Sequence, residues 1–184
     1  QGLSGLFTAI LQVLNLTDLG FSTAVTFVLY KPIAEEDTDS ICAIINFLKR
    51  VYIVIGLVIL GIGLLLMPFL PRLISGSCPD DVNLFALFAI YLINTVISYL
   101  LFAYKSTLLT AMQRDDVVSN IYTISSVVIR SLQLILLFVF RNYYIYIIVL
   151  PLGSIVNNIL LQIFSKRIFP EIIPKGEISE SVLR

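Results

Sequence analysis

The stretch Leu14-Asn15-Leu16-Thr17-Asp18-Leu19-Gly20-Phe21 sets a carboxylate inside the run Leu3 to Tyr30, which is otherwise apolar or uncharged and as long as a membrane span. Asp18 stands 15 residues from one end of that run and 12 from the other. At the rise of an α-helix it therefore lies roughly 20 Å from either surface. A charge at that depth is costly unless it faces protein or water, so the helix must turn this side away from lipid.

The rest of the chain supports the membrane reading. Of 184 residues, 58% are hydrophobic and 13% charged, and the mean hydropathy of +0.98 lies outside what a water-soluble domain of this size carries. Five runs are long enough to cross a bilayer as helices, at about 3–30, 51–70, 83–105, 117–140 and 143–165. The expected fold class is all-α, a polytopic transmembrane helix bundle. No run has the shape of a cleavable signal peptide. The chain opens on Gln1 and has an odd number of spans, which implies an interior piece of a longer protein.

Cations fix an orientation. With the loop 31–50 in the cytoplasm, that side collects Lys31, Lys49, Arg50, Lys105, Arg114, Lys166, Arg167, Lys175 and Arg184, against Arg72 and Arg141 outside. This is the asymmetry of the positive-inside rule. Tyr143, Tyr144 and Tyr146 then stand at the outer interface. Cys42 and Cys78 fall on opposite sides of the membrane and the chain has no histidine, which excludes a disulfide between them and a Cys/His zinc site.

Tyr30-Lys31-Pro32 is expected to end the first span, since proline disfavours helical geometry before it and has no N–H. Residues 39–50 carry Ile41, Ile44, Ile45 and Leu48 at helical spacing and read as an amphipathic interfacial helix leading into the second span. That span, with Gly56, Gly61 and Gly63 and no polar stripe, reads as an outer helix packed through small residues. Pro151 and Gly153 are expected to bend or loosen the fifth. The acidic pairs Asp37/Asp39, Asp80/Asp81 and Asp115/Asp116 each precede a helix, where carboxylates satisfy free N–H groups. That reading is preferred to a metal-binding Asp-x-Asp, so no metal or other cofactor is expected.

Polar residues fall in stripes. Thr8, Gln12, Asn15, Asp18, Ser22 and Thr26 share an arc of roughly 120° on the first span, at 3.6 residues per turn. Ser119, Tyr122, Thr123, Ser126, Arg130 and Gln133 do the same on the fourth, with Arg130 also close to mid-membrane. Asn94, Ser98 and Lys105 share a face of the third, and Ser154, Asn157, Asn158 and Ser165 a face of the fifth. Four helices are thus expected to turn polar faces to one interior. For any single Ser, Thr or Asn, helix-to-helix hydrogen bonding is the simpler role. Asp18 and Arg130 point to a hydrated transport path, with a structural ion pair as the alternative. Lys105, near the cytoplasmic end, fits either the cavity or an interfacial position.

The segments "GLSGLFTAILQVLNLTDLGFSTAV", "LYKPIAEED", "KRVYIVIGLVILGIGLLLMPFLP", "YLINTVISYLLFAYKSTLLTAMQRDD" and "NYYIYIIVLPLGSIVNN" together resemble, in order, the N-terminal half of bacterial polysaccharide-repeat-unit flippases. These form the Wzx-like branch of the multidrug/oligosaccharidyl-lipid/polysaccharide exporters. The resemblance implies a MATE-like two-lobe transporter in the bacterial plasma membrane, of which 1–170 would be helices two to six of the first lobe. Residues 171–184 would be a cytoplasmic linker to a second lobe. It further implies flipping of undecaprenyl-diphosphate-linked oligosaccharides by alternating access among membrane lipids, in company with polysaccharide polymerase machinery and without nucleic acid. Arg130 and Lys105 match the family's cavity cations for a diphosphate. The resemblance assigns Asp18 no role; from the residues themselves, Asp18 would hold or release that arginine or take up a proton or sodium ion, and Asn15, Gln12, Asn94 and Gln133 would bind sugar hydroxyls.

The chain has no Walker-type phosphate loop, and no enzymatic activity is expected. A cation-coupled multidrug exporter and a membrane-embedded glycosyltransferase or polymerase component stay open as alternatives. The orientation is tested by cysteine labelling from outside in intact cells: a thiol in the 77–78 loop should react and one at position 175 should not. Labelling of both from one side would overturn the five-span topology.

Overall fold

A computed structural model describes residues 2–70, 83–140 and 143–177; of 2–20 and of 143 only the backbone is described, save at Gly5, Ala9, Leu11 and Gln12. The described residues are helical apart from short connections and the segment 169–177 after the last helix. The α-helices are α1 (Gly2–Ala34), α2 (Thr38–Leu66), α3 (Leu84–Leu100), α4 (Tyr104–Ala111), α5 (Asp115–Phe140) and α6 (Tyr143–Ile168). A 3₁₀ turn, Met67–Phe69, prolongs α2. Among the described residues, three helices are long and apolar enough to cross a membrane: Thr38–Phe69, Asp115–Phe140 and Tyr144–Ile168. The pair α3 and α4, bent by 47°, makes a fourth if it counts as one span.

Several expectations change at this point. Residues 39–50 are not a separate interfacial helix but run without a break into the second span. Asp37 starts that helix as its N-cap, its Oδ1 accepting from the Ser40 N–H at 3.1 Å and its Oδ2 from the Ser40 hydroxyl. The Ser40 hydroxyl, and then its N–H, hold the Asp37 carboxyl below its ordinary value. The apolar periodicity of 41–48 reflects burial against protein: Ile41, Ile44, Ile45 and Leu48 all belong to the core.

Pro32 does not stop the first helix either. A single proline removes one hydrogen bond, and the chain continues to Ala34. The stop comes where Glu36 takes a left-handed φ of 54°, and the Asp37 N–H reaches back to the Pro32 carbonyl at 2.9 Å. Gln113, φ 56°, ends α4 in the same way, with the Arg114 N–H on the Leu109 carbonyl at 2.8 Å. Both are helix stops of the Schellman type with a side chain in place of glycine. At the start of α5 the acidic pair bonds side chains and not helix N–H groups: Asp115 accepts from the Thr110 hydroxyl at 2.6 Å, and Asp116 takes Arg114 in a two-pronged ion pair at 2.9 and 3.2 Å, while the Arg114 carbonyl accepts from the Val117 and Val118 N–H groups. Asp80 and Asp81 lie outside the described residues.

The third span, expected unbroken over 83–105, is interrupted between Leu100 and Tyr104, whereas α6 continues through Pro151. The helices α2, α3, α6 and α5 pack successively, and α1 lies on α2, α3 and α4. The main core joins Leu29 of α1, Ile45 and Leu48 of α2, Leu87 and Phe88 of α3, Leu108 of α4 and Ile147 of α6. Outward faces carry large apolar side chains, with Leu65 73% and Phe138 84% exposed. In water such surface would aggregate, and in a bilayer it meets acyl chains. After α6 the chain folds back onto α2 as far as residue 177, and the rest of the expected linker lies outside the described residues. The Asn46 side chain donates to the Gly176 carbonyl at 2.9 Å, and Ile172 enters the core.

Between lipid-solvated helices, packing comes from close approach more than from hydrophobic burial, and small residues permit it. Gly63 receives Leu92 so closely that a Cβ there would overlap its side chain, Gly153 receives Ile129 likewise, and Gly61 faces open space. Gly63→Ala should therefore destabilise the protein by about 1–3 kcal/mol through overpacking. Gly61→Ala should be neutral or stabilising from helix propensity. Denaturant unfolding in detergent micelles checks both, and equal stability of the two variants would refute close α2–α3 packing.

Candidate functional site

Residues from each of the four polar stripes line one cavity of about 370 Å³. Ser22 of α1, Asn94 and Ser98 of α3, Tyr122 of α5, and Ser154 and Asn157 of α6 line it. The stripes of α3 and α6 face this interior, whereas α1 contributes Ser22 and α5 Tyr122, the rest of the described α5 stripe lying on other surfaces. The second span is less inert than its sequence implied. Tyr52 of α2, 3% exposed, reaches the same cavity with its ring 5.8 Å from that of Tyr99.

A hydrogen-bond network builds the wall. Ser154 Oγ donates to Asn94 Oδ1 at 2.7 Å, which ties α6 to α3. Ser98 donates to the Asn94 carbonyl at 3.0 Å, one turn back on its own helix. On the α1 side, the hydroxyls of Ser22 and Thr107 share a bond of 3.0 Å, and Thr26 donates to the Ser22 carbonyl at 2.9 Å.

The break in the third span belongs to this site, since Ala103 and Ser106 line the cavity. Interrupting a helix inside a bilayer frees backbone groups that lipid cannot satisfy. Asn158 of α6 supplies a partner: its Oδ1 accepts the Phe102 N–H at 3.1 Å, while its Nδ2 donates to the Ser154 carbonyl at 2.9 Å. Discontinuous helices of this kind recur at transport sites.

The residues singled out from sequence are dispersed. Asn94 lines the cavity. Gln12 is exposed on α1, and the side chains of Asn15 and Asp18 lie outside the described residues. Gln133, 1% exposed, does not face the cavity: its Nε2 donates to the Tyr146 carbonyl at 3.0 Å and pins α5 to α6. Lys105 is also placed elsewhere. It is 2% exposed, does not snorkel, and donates to the Ile172 carbonyl at 3.4 Å with its ammonium 5.7 Å from the centre of the Tyr104 ring. Arg130 stands exposed on α5, in line with the exposed Ser119, Thr123 and Ser126. Among the described residues the one salt bridge is Arg114–Asp116, so Arg130 has no carboxylate partner there.

Sequence reasoning placed Asn157 and Asn158 on a polar face without separating their tasks, and passed over Tyr52. The separation depends on the break in another helix, which no local signal in "SYLLFAYK" marks. The comparisons with known proteins return nothing: no family model, curated protein or solved structure matches the chain.

Asn158→Leu should cost about 1–2 kcal/mol, because the Phe102 N–H loses its acceptor inside the bundle. Amide exchange of the peptide spanning 100–104 should accelerate, as followed by mass spectrometry. Unchanged exchange there would mean that the break does not depend on Asn158.

Proposed function

We propose that the chain is part of a transporter that flips undecaprenyl-diphosphate-linked oligosaccharides across the bacterial plasma membrane by alternating access, as the exporters it resembles do. The observation that carries this reading is the polar face of α5. Ser119, Thr123, Ser126 and Arg130 are exposed along roughly 16 Å of a helix apolar enough to span a bilayer. Arginine at such depth faces water or protein, not acyl chains. Tyr122 on the same helix lines the neutral cavity, so α5 offers a cation on its open face and reaches amides and hydroxyls on another. That set of groups suits an anionic linkage followed by a sugar, and it suits a neutral polyol better than an organic cation.

In this mechanism the isoprenoid tail stays in lipid and the head group moves along the α5 face. Arg130 attracts the diphosphate through its planar set of donors. Asn94 and its neighbours receive sugar hydroxyls. A second lobe covers the exposed face of α5 and closes the path, and Asp18 links the motion to a proton or sodium ion gradient. The turn between α1 and α2 lies on the cytoplasmic side. The bend between α3 and α4 gives the lobe a joint next to the cavity.

In the full-length protein, Arg130→Ala should abolish export of repeat units, and Arg130→Lys, which keeps charge but loses the fork, should retain part of it. Flipping of a fluorescent lipid-linked oligosaccharide in proteoliposomes is the measurement. A normally inserted and fully active Arg130→Ala protein would remove the arginine from the path.

A further inference from the structure

The hydrogen bonds around the cavity are unequally used, and the difference singles out one residue. Each hydroxyl has a single proton to give. Ser154 gives its proton to Asn94, Ser98 to the Asn94 carbonyl, Thr95 to the Tyr91 carbonyl at 3.1 Å and Ser106 to the Ala103 carbonyl at 2.7 Å. Asn158 uses both ends of its amide on backbone. These groups hold the wall. Asn157 stands beside them on α6 and lines the same cavity, yet its Oδ1 is buried without a hydrogen-bond partner among the described residues. An unpaired buried acceptor is costly, and its cost is relieved when a donor arrives.

We infer that Asn157 is the sugar-reading residue of the cavity, its uncommitted side-chain amide pairing with a hydroxyl or amide group of the sugar nearest the lipid. The inference rests on the lipid-linked-oligosaccharide reading and divides the site within it. A neutral amide suits a sugar hydroxyl, whereas a diphosphate is better met by a cation, so the anionic linkage is assigned to Arg130 at the α5 face. The volume, about 370 Å³, is that of a small-ligand pocket. A pocket with an unmet amide discriminates by what it loses: a ligand without the matching group leaves Asn157 unpaired.

The experiment measures binding to the full-length protein in nanodiscs with two probes, undecaprenyl diphosphate and undecaprenyl-diphosphate-linked N-acetylglucosamine. Wild type should bind the sugar-bearing lipid more tightly than the bare one. Asn157→Leu, similar in size but without an acceptor, should weaken the sugar-bearing probe roughly tenfold and leave the bare lipid unchanged. Asn157→Ser, which keeps an oxygen, should recover part of the loss and serves if the leucine variant does not fold. Equal weakening of both probes, no weakening of either, or a wild type that does not distinguish them would overturn the inference, leaving Asn157 to bind water alone. A wild type that binds neither probe would overturn the flippase reading itself, which the bare-lipid arm separates from failure at Asn157.

Discussion

Hydrocarbon offers no hydrogen bonds, and the chain's architecture follows from that constraint. Long apolar helices satisfy their own backbone, so α2, α5 and α6 need little from their neighbours beyond shape. Where the third span gives up helical bonding, a partner must come from elsewhere, and Asn158 brings it from a residue 56 positions away in sequence. That one amide ties the α3–α4 break to α6, and Ser154 ties the same helix to Asn94. The cavity lies where these obligations converge: Asn94, Ala103, Ser154 and Asn158 all line it.

Glycine contacts set the frame around it. Gly63 against Leu92 brings α2 onto α3, and Gly153 against Ile129 brings α5 onto α6. Neither gains much from the hydrophobic effect, since lipid tails are as apolar as leucine; the gain is contact and geometry. Gln133, bound to the Tyr146 carbonyl, adds a polar pin to the second of these interfaces. Together they keep α5 on α6 while its other face, with Arg130, stays open.

The membrane class, most helix limits and the polar cavity faces of α3 and α6 were legible in the sequence because composition and 3.6-residue periodicity are local properties. Three features were not. The break after Leu100 has no proline or glycine to announce it, since its stabilising acceptor is contributed by α6. Pro32 resembled a stop because local rules weigh one lost hydrogen bond heavily, while a long helix with a packed face absorbs it. Residues 39–50 looked interfacial because an amphipathic pattern is the same whether the apolar side meets lipid head groups or protein. Within the site, a stripe shows which residues share a face but not which have hydrogen bonds left to give, and that distinction separates Asn157 from Asn158.

The cations illustrate the same point from the side of charge. Lys105 and Arg130 look alike in sequence as basic residues in or near spans. The structure buries the first, with its ammonium on a backbone carbonyl of the segment that returns over α2, where it holds Ile172 in the core. The second keeps its guanidinium on an open helix face. A lysine so enclosed is a structural tie, because releasing it to bind an anion would require the returning segment to lift. An arginine with no carboxylate among the described residues retains its full set of donors. In the proposed transporter the diphosphate is therefore assigned to Arg130 alone, and the neutral cavity is left to the sugar: the open face of α5 selects by charge and the cavity selects by hydrogen bonding.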